Sequence, residues 1–128
     1  MNMKVTAKTI MIVEDEKAIR EIYEIILKSA GYKILSAANG AEAIVGLSTI
    51  KPDLILLDLM MPVMDGVDTL KSIRASPETK SIPVIILTNI GASEVPSEIV
   101  DENVREILVK VELSPEQLLQ KINKSLNS

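Results

Sequence analysis

Short apolar runs alternate with longer amphipathic ones along the whole chain, and this alternation constrains the fold more than any other feature. Five runs have the length and the Ile, Val and Leu content of strands: Thr9–Val13, Lys33–Ala37, Leu54–Asp58, residues 83–88 and residues 105–109. The stretches between them carry helical spacing. Residues 16–30 place Ile19, Ile22, Tyr23, Ile26 and Ala30 on one face, and Gly31 follows as a left-handed residue that closes a helix. Asn39, with Glu42 three residues on, has the spacing of a capping box for a helix reaching about residue 50. Asp65-Gly66 marks a turn before a short helix over residues 67–75. Ser114-Pro115-Glu116-Gln117 opens a last helix, whose buried stripe is Leu118, Leu119, Ile122 and Leu126. Residues 90–104 are the least regular, because Pro96 favours a helix that starts there and opposes one running through it.

Strands that alternate with helices imply a parallel sheet covered on both faces, and right-handed crossovers leave few topologies. The expected fold is α/β: a single doubly wound five-stranded parallel sheet with five helices. Residues 1–8 are expected to form an N-terminal extension and residues 9–128 one domain. The hydrophobic fraction is 47 %, with two Tyr and neither Phe nor Trp, so the core has to be aliphatic.

Several chemistries are excluded by composition. There is no Cys, which removes disulfides, thiol catalysis and thiolate metal sites. There is no His, which removes imidazole as base, zinc ligand or phosphoryl carrier. A net charge of −4 argues against direct nucleic-acid binding, which calls for a basic patch. No apolar run approaches the roughly 18 residues that span a bilayer, and the first residues lack a signal-peptide pattern, so a cytoplasmic protein is expected.

The remaining polar groups gather where an open parallel sheet binds ligands, outside the carboxyl ends of its strands. The first strand ends in Glu14-Asp15-Glu16, the third in Asp58, the fourth in Thr88-Asn89 and the fifth in Lys110. Taken singly, Asp15 reads as a helix cap, Thr88 as a strand-end hydroxyl and Lys110 as a solvated charge. Asp58 resists such a reading, because an acid between Leu54-Ile55-Leu56-Leu57 and Leu59-Met60-Met61 needs a partner. Two carboxylates about 5 Å apart repel by roughly 3 kcal/mol at an effective dielectric near 20. A hard divalent cation removes that cost, and Mg2+ takes carboxylates, waters and phosphate oxygens. Lys110 adds a second positive charge, and Thr88 offers a donor to phosphoryl oxygens. The cluster suits transfer of a phosphoryl group to a carboxylate.

These segments resemble the receiver domain of two-component response regulators, a flavodoxin-like fold, over nearly all residues from Thr9 to Leu126. Ile12-Val13-Glu14-Asp15-Glu16 is similar to the family's acidic pair. Residues 52–66, from Pro52-Asp53 through Asp58-Leu59-Met60-Met61-Pro62 to Asp65-Gly66, are similar to its phosphoacceptor strand and loop. Thr88 and Lys110 fall where its hydroxyl and lysine lie. The resemblance implies that Asp58 is phosphorylated, that Asp15, Asp58 and the backbone carbonyl of Met60 ligate Mg2+, and that Glu14 acts through a metal-bound water. It implies that Lys110 and Thr88 bind the phosphoryl group. The implied donor is a histidine kinase or histidine phosphotransfer protein, and the output leaves through the face of the fourth helix, fifth strand and fifth helix to an effector or output domain. Such a protein catalyses its own phosphorylation and dephosphorylation without turning over a separate substrate.

The chain departs from the family at several positions. Ile107 stands at the switch position where an aromatic residue is common, and Val111 where a proline follows the lysine. Asn89 replaces a small residue, and Pro96 lies in the region of the fourth helix. The Lys110–Val111 bond is expected to be trans, since a cis bond before Val is costly. A pseudo-receiver that only binds proteins is the alternative, opposed by the intact Glu14, Asp15, Asp58, Thr88 and Lys110. A Mg2+-dependent phosphatase with an Asp nucleophile needs an acid where Met60 stands. A flavin carrier needs a phosphate loop where Glu14-Asp15-Glu16 stands.

Overall fold

The structure, a computed structural model, describes residues 7–61, 64–89, 95–97, 100 and 103–127. Strands β1 (Thr9–Val13), β2 (Lys33–Ala37), β3 (Leu54–Asp58), β4 (Val84–Thr88) and β5 (Val104–Val109) form one sheet in the order β2-β1-β3-β4-β5. Every pairing is parallel. Every residue of β3 and β4 is buried, which explains why these strands read as continuous apolar runs rather than as alternating ones.

Alternate residues of the strands feed two cores. Ile10, Ile12, Leu54, Leu56, Ile85 and Leu87 pack with α1 (Lys17–Ser29) and the last helix, which supplies Leu118 and Ile122. Met11, Val13, Ile55, Leu57 and Ile86 pack on the opposite face with α2 (Gly40–Leu47) and α3 (Gly66–Ala75). The last helix is α4 (Pro115–Leu126), and Ser114 and Gln117 close its capping box as the spacing indicates. Asn39 caps α2 by accepting from the Glu42 N–H, and Gly31 takes φ 97° after α1.

Several expectations shift. The described residues hold four α-helices rather than five, and the segment expected to supply the other, residues 90–104, lies largely outside them. Its described part shows a Val100 N–H donating to Ser97 O at 3.2 Å, the tight spacing of a 3-10 turn, directly after Pro96. Most of the N-terminal extension, residues 1–6, is also outside the described residues. β5 ends at Val109 as the run indicates and starts one residue earlier, at Val104, and Lys110 begins a 3-10 turn, Lys110–Glu112, that lies outside the expected elements. No peptide bond among the described residues is cis, so Lys110–Val111 is trans.

The strand order places a topological switch between β1 and β3. The chain leaves β1 toward β2 on one side and returns to β3 on the other, so a crevice opens between their carboxyl ends. Glu14-Asp15 and Asp58 stand at that crevice.

Candidate functional site

Asp58 is the last residue of β3 and is 1 % exposed. Its carboxylate is held from two sides: the Met60 N–H donates to Oδ1 at 3.1 Å, and the Lys110 Nζ donates to Oδ2 at 3.3 Å. Gly66 shapes the loop behind it. The Gly66 N–H donates to Leu59 O at 3.0 Å, and a Cβ there would sit 2.4 Å from Leu59 Cα and 2.5 Å from Asp58 O. Only glycine allows α3 to begin this close to the acid.

Glu14 and Asp15 follow β1 directly. Glu14 is fully buried, its N–H donates to Ala37 O at 3.1 Å, and its Oε1 accepts from Lys110 at 2.8 Å. Asp15 is half-buried. The residue capping α1 is Glu16, without a side-chain capping bond, so Asp15 is free of the capping role that its position also allowed. One carboxylate oxygen each from Glu14, Asp15 and Asp58 lies within 4.8 Å of the others.

With all three carboxylates ionised, the one ammonium of Lys110 would leave the four groups with a net charge of −2. Burial pushes the Glu14 carboxyl up to about 7, and the charge of Asp58 adds to the rise while the bond from Lys110 opposes it. Burial pulls the Lys110 ammonium down, but the bond to Glu14 and the charges of Asp58 and Glu14 outweigh it, leaving the group above its ordinary value. The donors are all hard oxygens crowded at one crevice, and their repulsion is relieved by a small divalent cation. This set fits Mg2+ and does not fit a soft metal.

Thr88 ends β4, one residue beyond Leu87, which is the register partner of Asp58, and it is fully buried. Ile107 lies on β5 opposite Ile86, half-buried against the core of α2 and α3. Its face is that of Thr88, and it stands deeper in the sheet than the hydroxyl. Met60 is 60 % exposed beside the acid. The structure therefore gathers Glu14, Asp15, Asp58 and Lys110, with Thr88 on the adjoining strand and Ile107 below it.

Two residues to which the sequence assigned no part in the site adjoin it. Arg20, on α1, donates to the backbone oxygens of Glu14 and Asp15 at 2.7 and 3.5 Å. Tyr23, one turn further along α1, is buried, and its phenol is raised by burial and feels the charges of Lys110, Glu14 and Asp58. Lys17 and Arg20 open a helix that has no acid in its first turn. That is an unfavourable charge for a helix N-terminus, but it marks Lys17 as much as Arg20 and does not single Arg20 out.

A family model described as response regulator receiver domain matches residues 10–123. The phosphate regulon transcriptional regulatory protein PhoB of Pseudomonas aeruginosa is 41 % identical over 87 residues, which cover 68 % of this chain and 38 % of that protein. The alkaline phosphatase synthesis transcriptional regulatory protein PhoP of Bacillus subtilis is 37 % identical over 63 % of this chain and 33 % of its own length. The chain spans about a third of the length of the curated relatives it matches. Among solved structures, chemotaxis response regulator CheY4 of Vibrio cholerae aligns with a TM-score of 0.85 at 31 % identity, covering 94 % of this chain and all of that one. Response regulator TrrA of Thermotoga maritima, solved in complex with Mg2+-BeF, aligns with a TM-score of 0.79 at 33 % identity, over 93 % of this chain and 99 % of that one.

Proposed function

The chain belongs to the response regulator receiver domain family, and from that premise we propose that it takes a phosphoryl group onto Asp58 in a Mg2+-dependent reaction. The donor is a phosphohistidine of a separate histidine kinase or histidine phosphotransfer protein. The observation that carries this reading is the convergence of three carboxylates and Lys110 around a nearly buried Asp58 at the switch between β1 and β3.

The residues divide the work. A carboxylate oxygen of Asp58 forms the bond to phosphorus as the phosphorus–nitrogen bond of the donor breaks, and its electron pair stays on the imidazole. The Met60 N–H holds the other carboxylate oxygen, which fixes the attacking direction. Asp15, Asp58 and the Met60 carbonyl would hold Mg2+, and Glu14 would act through a metal-bound water. Bound there, Mg2+ offsets the charge of the carboxylates and of the phosphoryl oxygens. Lys110 turns from Asp58 to a phosphoryl oxygen, and the Thr88 hydroxyl donates to another. The protein is a phosphoacceptor that acts on itself.

Output is carried by residues 90–104 with β5 and α4. Ile107 is stiff about its first torsion and lacks a polar tip, so a large side-chain swing at that position is not the carrier. The beryllofluoride phosphoryl mimic tests the scheme. In the presence of Mg2+ it should slow hydrogen exchange around Asp58 and Thr88 and alter exchange in residues 90–104. The same treatment in chelator should do neither. Equal responses with and without Mg2+ would contradict metal dependence, and unchanged exchange in residues 90–104 with the mimic bound would contradict the output route.

A further inference from the structure

Arg20 stands in the first turn of α1, where its charge opposes the helix dipole and no residue of that turn is acidic. Its backbone N–H makes the ordinary helical bond to Glu16 O at 2.9 Å, which fixes the residue one turn beyond the acidic loop. The half-buried side chain runs back toward the start of the helix. One nitrogen of the guanidinium, Nη1, donates to Glu14 O at 2.7 Å and reaches Asp15 O at 3.5 Å. These carbonyls belong to two of the three residues whose carboxylates converge within 4.8 Å.

The loop between β1 and α1 is three residues long, and the other ties on it are few and specific. The Glu14 N–H is anchored to Ala37 O at 3.1 Å, and the Glu16 N–H donates to the Glu14 Oε2 at 3.2 Å. With the N–H of Glu14 fixed on β2 and its carbonyl fixed by Arg20, the peptide planes on both sides of the residue are set. The direction of its side chain follows.

We infer that Arg20 is a positioning residue for the Mg2+ site, holding the backbone of Glu14 and Asp15 so that their carboxylates face Asp58. The inference rests on the phosphoacceptor reading of that site. Three roles for Arg20 make different predictions. A cation beside the site repels Mg2+, so if Arg20 acted only as a charge, its loss would tighten metal binding. If it only stabilised the fold, its loss would lower the melting temperature and leave the Mg2+ dissociation constant unchanged. If it positions the acids, its loss weakens Mg2+ binding despite the more negative surroundings.

The test is a Mg2+ titration of the full chain followed by amide NMR shifts, on wild type, Arg20→Gln and Arg20→Lys. Arg20→Gln should raise the dissociation constant about tenfold, the scale of one lost bond to a charged donor. Arg20→Lys should fall between, since it keeps the charge but not the planar fork. In chelator, hydrogen exchange at the Glu16 N–H should rise in Arg20→Gln while exchange in β1 and β3 stays as in wild type. A folded Arg20→Gln that binds Mg2+ as well as or better than wild type overturns the inference, and if that variant does not fold, Arg20→Lys is judged on the same terms. Wild type that fails to bind Mg2+ overturns the phosphoacceptor reading itself.

Discussion

Lys110 sits nearer to Glu14, at 2.8 Å, than to Asp58, at 3.3 Å, so the ammonium has a good partner even without Asp58. Asp58→Asn therefore removes a desolvated charge from a crowded group without stranding the lysine. In chelator this variant should melt a few degrees higher than wild type, the scale of about 1 kcal/mol in a domain of this size. It should also lose most of the stabilisation that Mg2+ gives. A lower melting temperature in chelator would show that the Lys110–Asp58 attraction outweighs the repulsion. Glu14 gives a separate handle. Its folded-state carboxyl is raised from 4.5 to about 7 by burial, with Asp58 adding and Lys110 opposing. A raised carboxyl means that the folded protein holds the proton more tightly than the unfolded chain, so this contribution is complete below pH 4.5 and is lost as pH rises through 7. Metal-free protein should lose stability across that window, and Glu14→Gln should flatten the loss, as chelator melts at several pH values would show. A Gln variant whose stability falls as steeply as wild type would place the titration elsewhere. Asp58 was legible in the sequence because an acid between apolar runs demands a partner, whereas Glu14, Asp15 and Lys110 were legible only together, as polar residues following strands that end at one sheet edge. Arg20 was not, since it bonds backbone oxygens, which every residue carries and no letter marks.

The strands were legible nearly to the residue because β3 and β4 are covered on both faces and leave uninterrupted apolar runs. The capped ends of α2 and α4 were legible for a local reason: Asn39 and Ser114 satisfy N–H groups three residues ahead of them. The turn at Lys110–Glu112 was hidden, because Lys110-Val111-Glu112 carries no Gly, Pro, Asn or Asp to mark a turn, and Val111 is 80 % exposed. That turn matters for the site, since it aims Lys110 inward from the end of β5. Gly66 plays the matching part at the start of α3. Gly66→Ala forces a methyl group against backbone 2.4 and 2.5 Å away, which no rotamer change relieves. The variant should lose about 3 kcal/mol or more of stability, at the upper end of overpacking costs. Urea unfolding measures this, and a loss below about 1 kcal/mol would mean that the loop from Leu59 to Asp65 yields easily.

At the scale of the whole molecule, the sheet order β2-β1-β3-β4-β5 turns residues distant in sequence into one site, joining Glu14 to Lys110 across 96 positions. The pattern of runs established a parallel sheet but not this order, because spacing records which elements exist and not which become neighbours. Handedness and short connections narrow the choices without selecting one. The same order puts β5 and the Lys110 turn at one edge of the sheet. No helix among the described residues is long and apolar enough to cross a membrane. We propose that this arrangement makes Asp58 the phosphoryl acceptor. That assignment is tested most directly by incubating the protein with acetyl phosphate and Mg2+ and mapping the product by intact and peptide mass spectrometry. The protein should gain one phosphoryl group, located on Asp58, absent in chelator and absent in Asp58→Ala. Labelling of the same extent in Asp58→Ala, or none in wild type with Mg2+ bound, would contradict it.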